Sequence, residues 1–151
     1  MTTLTRPTRR ATSAIVRGWV AAVLLGDAAT IAASLILRPI VDPDLTFQPL
    51  QPGSVVSLTV LGAFGAAVVY SIVVGRSARP RMRFLQIAAI ALVLSFGQDL
   101  ALLLNPSATP FVDVTPSKVL ALMVLHVVAA PIIVAAFLRL APPLAAPESK
   151  R

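Results

Sequence analysis

The sequence predicts an all-α protein, a bundle of four transmembrane helices, and three observations lead there. Four apolar stretches, 14–37, 55–75, 84–104 and 119–140, each reach the ~20 residues a helix needs to cross a ~30 Å hydrocarbon core. Charged residues make up 13% of the chain and hydrophobic ones 57%, whereas soluble domains carry roughly 25% charged residues. The connections between the stretches alternate between arginine-rich and acidic, as in a chain that threads back and forth across a bilayer. Most of the 151 residues lie within the spans, so a single domain over 13–141 is expected. Short tails, 1–12 and 142–151, flank it, the first disordered or lying at the headgroups.

Taken in order, the first helix begins with a basic flank and a long apolar run. That run exceeds the 7–15 residues of a signal-peptide core, so it reads as a retained helix. Pro39 is expected to close it. The segment Ile40–Gly53 carries Pro43, Pro49 and Pro52, too many for a helix interior. It also carries Val41, Leu45, Phe47 and Leu50, so it is expected to fold back over the mouth of the bundle. Ser54 is the expected N-cap of the second helix. The connection Arg76–Arg83 is short, which makes the second and third helices antiparallel neighbours. Asn105-Pro106 ends the third helix, and Thr115-Pro116 starts the fourth with Pro at its first position. Pro131 removes the donor for the Val127 carbonyl and is expected to kink the fourth helix.

The charges set an expected orientation. Arg6, Arg9, Arg10, Arg17, Arg76, Arg79, Arg81, Arg83, Arg139, Lys150 and Arg151 fall on one side, and only Arg38 and Lys118 on the other. Short basic loops stay cytoplasmic, which puts both termini inside. The net charge of +7 flanks apolar spans, so its expected partners are anionic headgroups on the cytoplasmic side and not nucleic acid. Eleven arginines against two lysines fit a GC-rich bacterial genome, hence a bacterial cytoplasmic membrane. The absence of cysteine excludes disulfides and thiolate chemistry.

Lipid supplies little hydrophobic drive between helices, so small residues and polar contacts decide packing. Gly18, Ala22, Gly26, Thr30 and Ser34 recur every four residues on the first helix, as Ala63, Ala67, Ser71 and Gly75 do on the second. Residues four apart share a face, so each set forms a groove for packing within the bundle or for a homo-oligomer.

Three ionisable side chains sit inside the spans: Asp27, Asp99 (with Gln98 beside it) and His126. A charge at a helix centre costs roughly 2.5–3.5 kcal/mol, so such residues face protein or water. At 1.5 Å per residue they lie about 17, 8 and 13 Å from the acidic-side helix ends, which allows one carboxylate–imidazole cluster. Asp27 is the expected deep partner of His126. The alternative reading is structural, with each bonded to a neighbouring helix. Asp42, Asp44 and Asp113 are expected to form a solvated rim. No metal-ligand spacing, nucleotide motif or cofactor motif is present, and no serine has a base at a recognisable spacing.

The runs ARPRMRFLQIAAIALVLSFG and LALMVLHVVAAPIIVAAFLRLA resemble the third and fourth spans of a family of small bacterial four-helix membrane proteins, domain of unknown function 6069. The shared features are a basic connection, an apolar run ending in Leu-Ser at Ser95, and a fourth helix with Met123 and His126 followed by small apolar residues. The family usually has Met and His adjacent, and here two residues separate them. The first half matches in layout: a helix, a Pro-rich outer loop, and a Gly/Ala-rich helix. The resemblance implies the four-helix architecture and no activity.

For function the leading expectation is a non-enzymatic membrane protein acting through helix–helix contacts, such as an accessory subunit of a larger complex. The alternatives are a small proton-coupled carrier using Asp27, Asp99 and His126, and a membrane enzyme acting on lipid or quinone.

Overall fold

The computed structural model describes residues 9–44, 46–106 and 110–141, with side chains from residue 12. The expected tail after 141, the first eight residues and Leu45 lie outside the described residues. Four helices build the protein: α1 Arg9–Val41, α2 Pro52–Arg76, α3 Pro80–Leu104 and α4 Pro116–Leu140. Each is long and apolar enough to span a membrane. The chain is therefore an all-α multi-pass bundle.

Proline sets the helix boundaries more than side-chain caps do. Pro52, Pro80 and Pro116 each stand at a helix start, where a missing N–H costs nothing and φ is already helical. For this reason α2 starts before Ser54, with extended Gln51 as its N-cap. Thr115 is the N-cap of α4, but its hydroxyl lies 3.1 Å from that of Ser117 and does not cap the backbone. Pro39 does not close α1. The ladder resumes immediately, with the Asp42 N–H donating to the Arg38 carbonyl at 2.8 Å, so the helix runs on to Val41. At the other end α1 already includes residues 9–12, which were expected in the tail. α4 continues unbroken through Pro131, whose ring is exposed.

α1 packs most extensively on α4 and then on α2, while α3 leans chiefly on α4. The α1 contact face is the small-residue stripe: Gly18, Ala22, Gly26, Thr30 and Ser34 are all buried. A Cβ added at Gly18 would lie 3.1 Å from Phe137 of α4, and one at Gly26 would lie 3.0 Å from Thr59 of α2. One stripe therefore receives two neighbours. The α2 set behaves differently, since Ala63 is buried, Ala67 half-buried and Ser71 exposed. Four residues turn a helix by roughly 400°, so a strict four-residue stripe drifts about 40° per step. On α1 the stripe has α4 and α2 to meet along its length, whereas on α2 it runs out of the contact.

Two apolar clusters cap the bundle. At the arginine-rich end Tyr70, Phe84 and Phe137 bring α2, α3 and α4 together, with ring centroids 4.9, 5.4 and 5.9 Å apart. The Tyr70 hydroxyl donates to the Ala141 carbonyl just beyond α4. At the acidic end a 3-10 turn, Gln48–Leu50, folds over the bundle. Phe47 and Leu50 there pack with Val55, Leu122 and Leu125.

Replacing Gly26 by Leu should lower the melting temperature in mild detergent by several degrees, because overpacking costs about 1–3 kcal/mol. The same change at exposed Ala28 should leave it unchanged. Equal melting of the two variants would show that the α1 stripe is not a tight contact.

Candidate functional site

Between α2 and α3, floored by α4, lies a cleft of about 520 Å³. Small side chains make it. Gly62 and Gly65 on α2 and Ala91 on α3 line its walls, and Ala129 and Ala130 line its floor. Pro49 borders it toward the acidic end and Phe84 toward the arginine end. α3 is the loosest wall, with only Phe84 and Asp99 buried along its length.

The polar groups on this cleft are few. His126 lies on its α4 lining, and the ring Nδ1 stands 3.0 Å from Asp99 Oδ2 on α3. The Asp99 side chain is 7% exposed and the His126 side chain 40%, so the carboxylate is the hidden partner. Where Asp99 is the acceptor of this bond, Nδ1 carries the proton and Nε2 is the ring's remaining polar atom. Asp99–His126 can therefore fix a ring orientation and hold or pass a proton at Nε2.

Asp27 does not join it. This carboxylate is half-buried on α1 beside Thr59 of α2, and it makes no ion pair with His126. Its Oδ1 is buried without a hydrogen-bond partner among the described residues. The expected Asp27–His126 contact is replaced by Asp99–His126, because α3 lies against α4 on the histidine side. Gln98 is exposed on α3, one residue from Asp99 and outside the pair. Among the described residues no three His, Asp or Glu side chains gather as a metal site requires.

A second polar group, missed by sequence reasoning, closes the acidic end. Lys118, in the first turn of α4, is buried and reaches Asp42 Oδ1 at 2.8 Å. It also pairs with Asp113 and donates to Thr46 Oγ1 at 3.0 Å. The Asp42 carboxylate accepts the backbone N–H groups of Thr46 and Phe47 at 3.2 and 3.1 Å. Asp113 adopts a left-handed φ of 57°, which aspartate tolerates better than most residues. The expected solvated rim thus holds for exposed Asp44 but not for Asp42, which is 1% exposed. The physical reason is Lys118: a lone cation entering an apolar span draws its counter-ions in with it. That lone lysine opposite two loop aspartates was the available signal.

Burial pushes the Asp42 carboxyl up, but bonds from Lys118, the Phe47 N–H and Thr46 outweigh it and hold the group below its usual range. Bonds from Lys118 and Thr46 likewise hold Asp113 down. Groups depressed in the folded state stabilise it above their unfolded pKa of about 3.9 and lose that contribution as pH falls through the folded value. The melting temperature should therefore be level above about pH 5 and fall below about pH 4. Asp42→Asn should destabilise by roughly 1–3 kcal/mol, because the buried ammonium keeps only the exposed Asp113 as counter-ion. Asp42→Asn with Lys118→Met should destabilise by less, because no buried charge is then left and the amide oxygen still accepts the loop N–H groups. An unchanged melting temperature in Asp42→Asn would show the pair to be ornamental.

No curated protein and no solved structure matches this chain. One family model does, described as a family of unknown function, and it matches residues 10–143. That range takes in all four apolar spans, both polar groups and the cleft between them. The chain belongs to that family, DUF6069.

Proposed function

We propose that this protein is a non-enzymatic membrane subunit that acts by docking a transmembrane helix of a larger complex on α3. The observation that carries this reading is Gln98. Its amide is exposed within an apolar span, about 9 Å from the helix end at 1.5 Å per residue. Among the described residues no hydrogen bond reaches it. Gly97 and Ala101 stand exposed on the same side, and a Cβ at Gly97 would meet nothing within 4 Å. Small residues that admit a backbone, beside an amide that can bond across helices, are what a helix partner needs in lipid. The bundle itself would sit in a bacterial cytoplasmic membrane with both termini inside. Arg76, Arg79, Arg81 and Arg83 would then meet anionic headgroups there.

A second reading, a small proton-coupled carrier, is favoured by the 3.0 Å Asp99–His126 contact beside the cleft. It would rest on that pair, with Asp27 outside it. In proteoliposomes it requires His126→Gln to abolish a pH-dependent flux.

The chain has no cysteine, so single cysteines report orientation directly. A cysteine at exposed Gln48 should react with an impermeant maleimide added to intact cells, and one at exposed Ala78 only after lysis. The reverse pattern would invert the orientation. A photo-crosslinking residue at Gln98 should yield one adduct of defined mass in native membranes, lost on Gly97→Leu, while the same probe at exposed Leu24 yields only lipid. An adduct at twice the chain mass would assign the face to a second copy. Lipid adducts alone at Gln98 would overturn the subunit reading.

A further inference from the structure

We propose that the cleft between α2 and α3 binds a membrane-dissolved amphiphile with a hydroxyl head, a lipophilic phenol or alcohol, held at Nε2 of His126. The cavity of about 520 Å³ falls within the roughly 300–1,000 Å³ of small-molecule sites, which combine apolar walls with a few polar groups. What selects the head is the proton inventory of those groups. Thr30, Thr59, Ser95 and His126 line the cleft. Thr30 Oγ1 donates to the Gly26 carbonyl at 2.9 Å, Thr59 Oγ1 to Val55 at 2.8 Å, and Ser95 Oγ to Leu92 at 2.7 Å. A hydroxyl has one proton, and each of these has an acceptor for it within the bundle, on its own helix or, for Thr30 and Thr59, across the α1–α2 contact. In the neutral tautomer that directs Nδ1–H to Asp99, the ring offers a lone pair at Nε2.

Every one of these side chains thus presents an acceptor. A ketone, ester or ether head finds no free side-chain donor there, whereas an O–H finds an acceptor at Nε2 of His126, whose side chain is 40% exposed. An ammonium head is disfavoured because the Asp99 carboxylate is buried and bonded to the ring rather than turned to the cleft. The apolar body lies along the small residues of the walls, between Pro49 and Phe84. This site does not depend on the docking of a partner at Gln98, which is not part of the cleft lining.

His126 is the chain's single histidine, so the protein labelled with ¹⁵N-histidine gives one pair of ring signals. In the free protein at neutral pH, Nε2 should carry the shift of an unprotonated nitrogen. Titration with 4-octylphenol in detergent micelles should move that signal saturably. 4-Octylanisole, the same molecule with its O–H methylated, should need at least a tenfold higher micellar mole fraction for half-saturation, the loss expected for one hydrogen bond. Ala91→Phe, which fills the cleft from an exposed wall position, should abolish the 4-octylphenol shift while leaving the melting temperature unchanged. Equal saturation by phenol and anisole, a protonated Nε2 in the free protein, or an undiminished shift in Ala91→Phe would each overturn the proposal. Because neither probe touches Gln98 chemistry, failure here leaves the subunit reading standing, and failure of the crosslinks leaves this site standing.

Discussion

The close approach of α1 to two helices at once is the constraint on which the bundle rests. In lipid, side chains gain little by leaving one apolar surroundings for another, so contact must come from fit. Gly18 admits the Phe137 ring and Gly26 admits the Thr59 methyl, and between them Ala22 is wholly buried. α1, α2 and α4 consequently form one tight unit. The hydroxyls buried there, Thr30 and Thr59, lie 3.3 Å apart and each also reaches a carbonyl of its own helix, so the seam meets its polar needs from within.

α3 stands outside that economy of fit. It has no small-residue seam facing its neighbours and is pinned at two points, Phe84 in the aromatic trio and Asp99 on His126. The cleft is the space left between those points. A histidine–carboxylate contact in this position holds the wall and the head-binding atom with the same bond. Structure and chemistry therefore cannot be separated by changing Asp99 alone.

The spans, the helix order, the fold-back of Phe47 and Leu50, and the acidic-end position of the polar residues were all legible, because length, proline and apolar runs act locally. What was not legible depended on which helices touch. Choosing Asp27 as the partner of His126 followed from depth along the bilayer, and depth says nothing about angular position around the bundle. Asp99, nearer the surface, won because α3 lies on the side of α4 that carries His126. The cleft left no signature, since Gly62, Ala91 and Ala130 are also what a packed seam contains. Asp42 was misjudged because a Pro-rich loop reads as solvated. Only the position of Lys118, folded beneath that loop, shows why a carboxylate is buried there.

The α1–α4 contact also bears on how the chain is made. Synthesis proceeds from the N-terminus at about 5–20 residues per second, so α1 enters the membrane well before its principal neighbour exists. Until α4 emerges, the groove from Gly18 to Ser34 has only α2 to fill it, and the pocket for Phe137 stands empty. Asp27 and the small residues of α1 must meanwhile be shielded by lipid, the insertion machinery or a chaperoning helix. A ribosome stalled before Pro116 would thus leave a nascent chain with its longest helix half-clad, the form that membrane quality control is built to find.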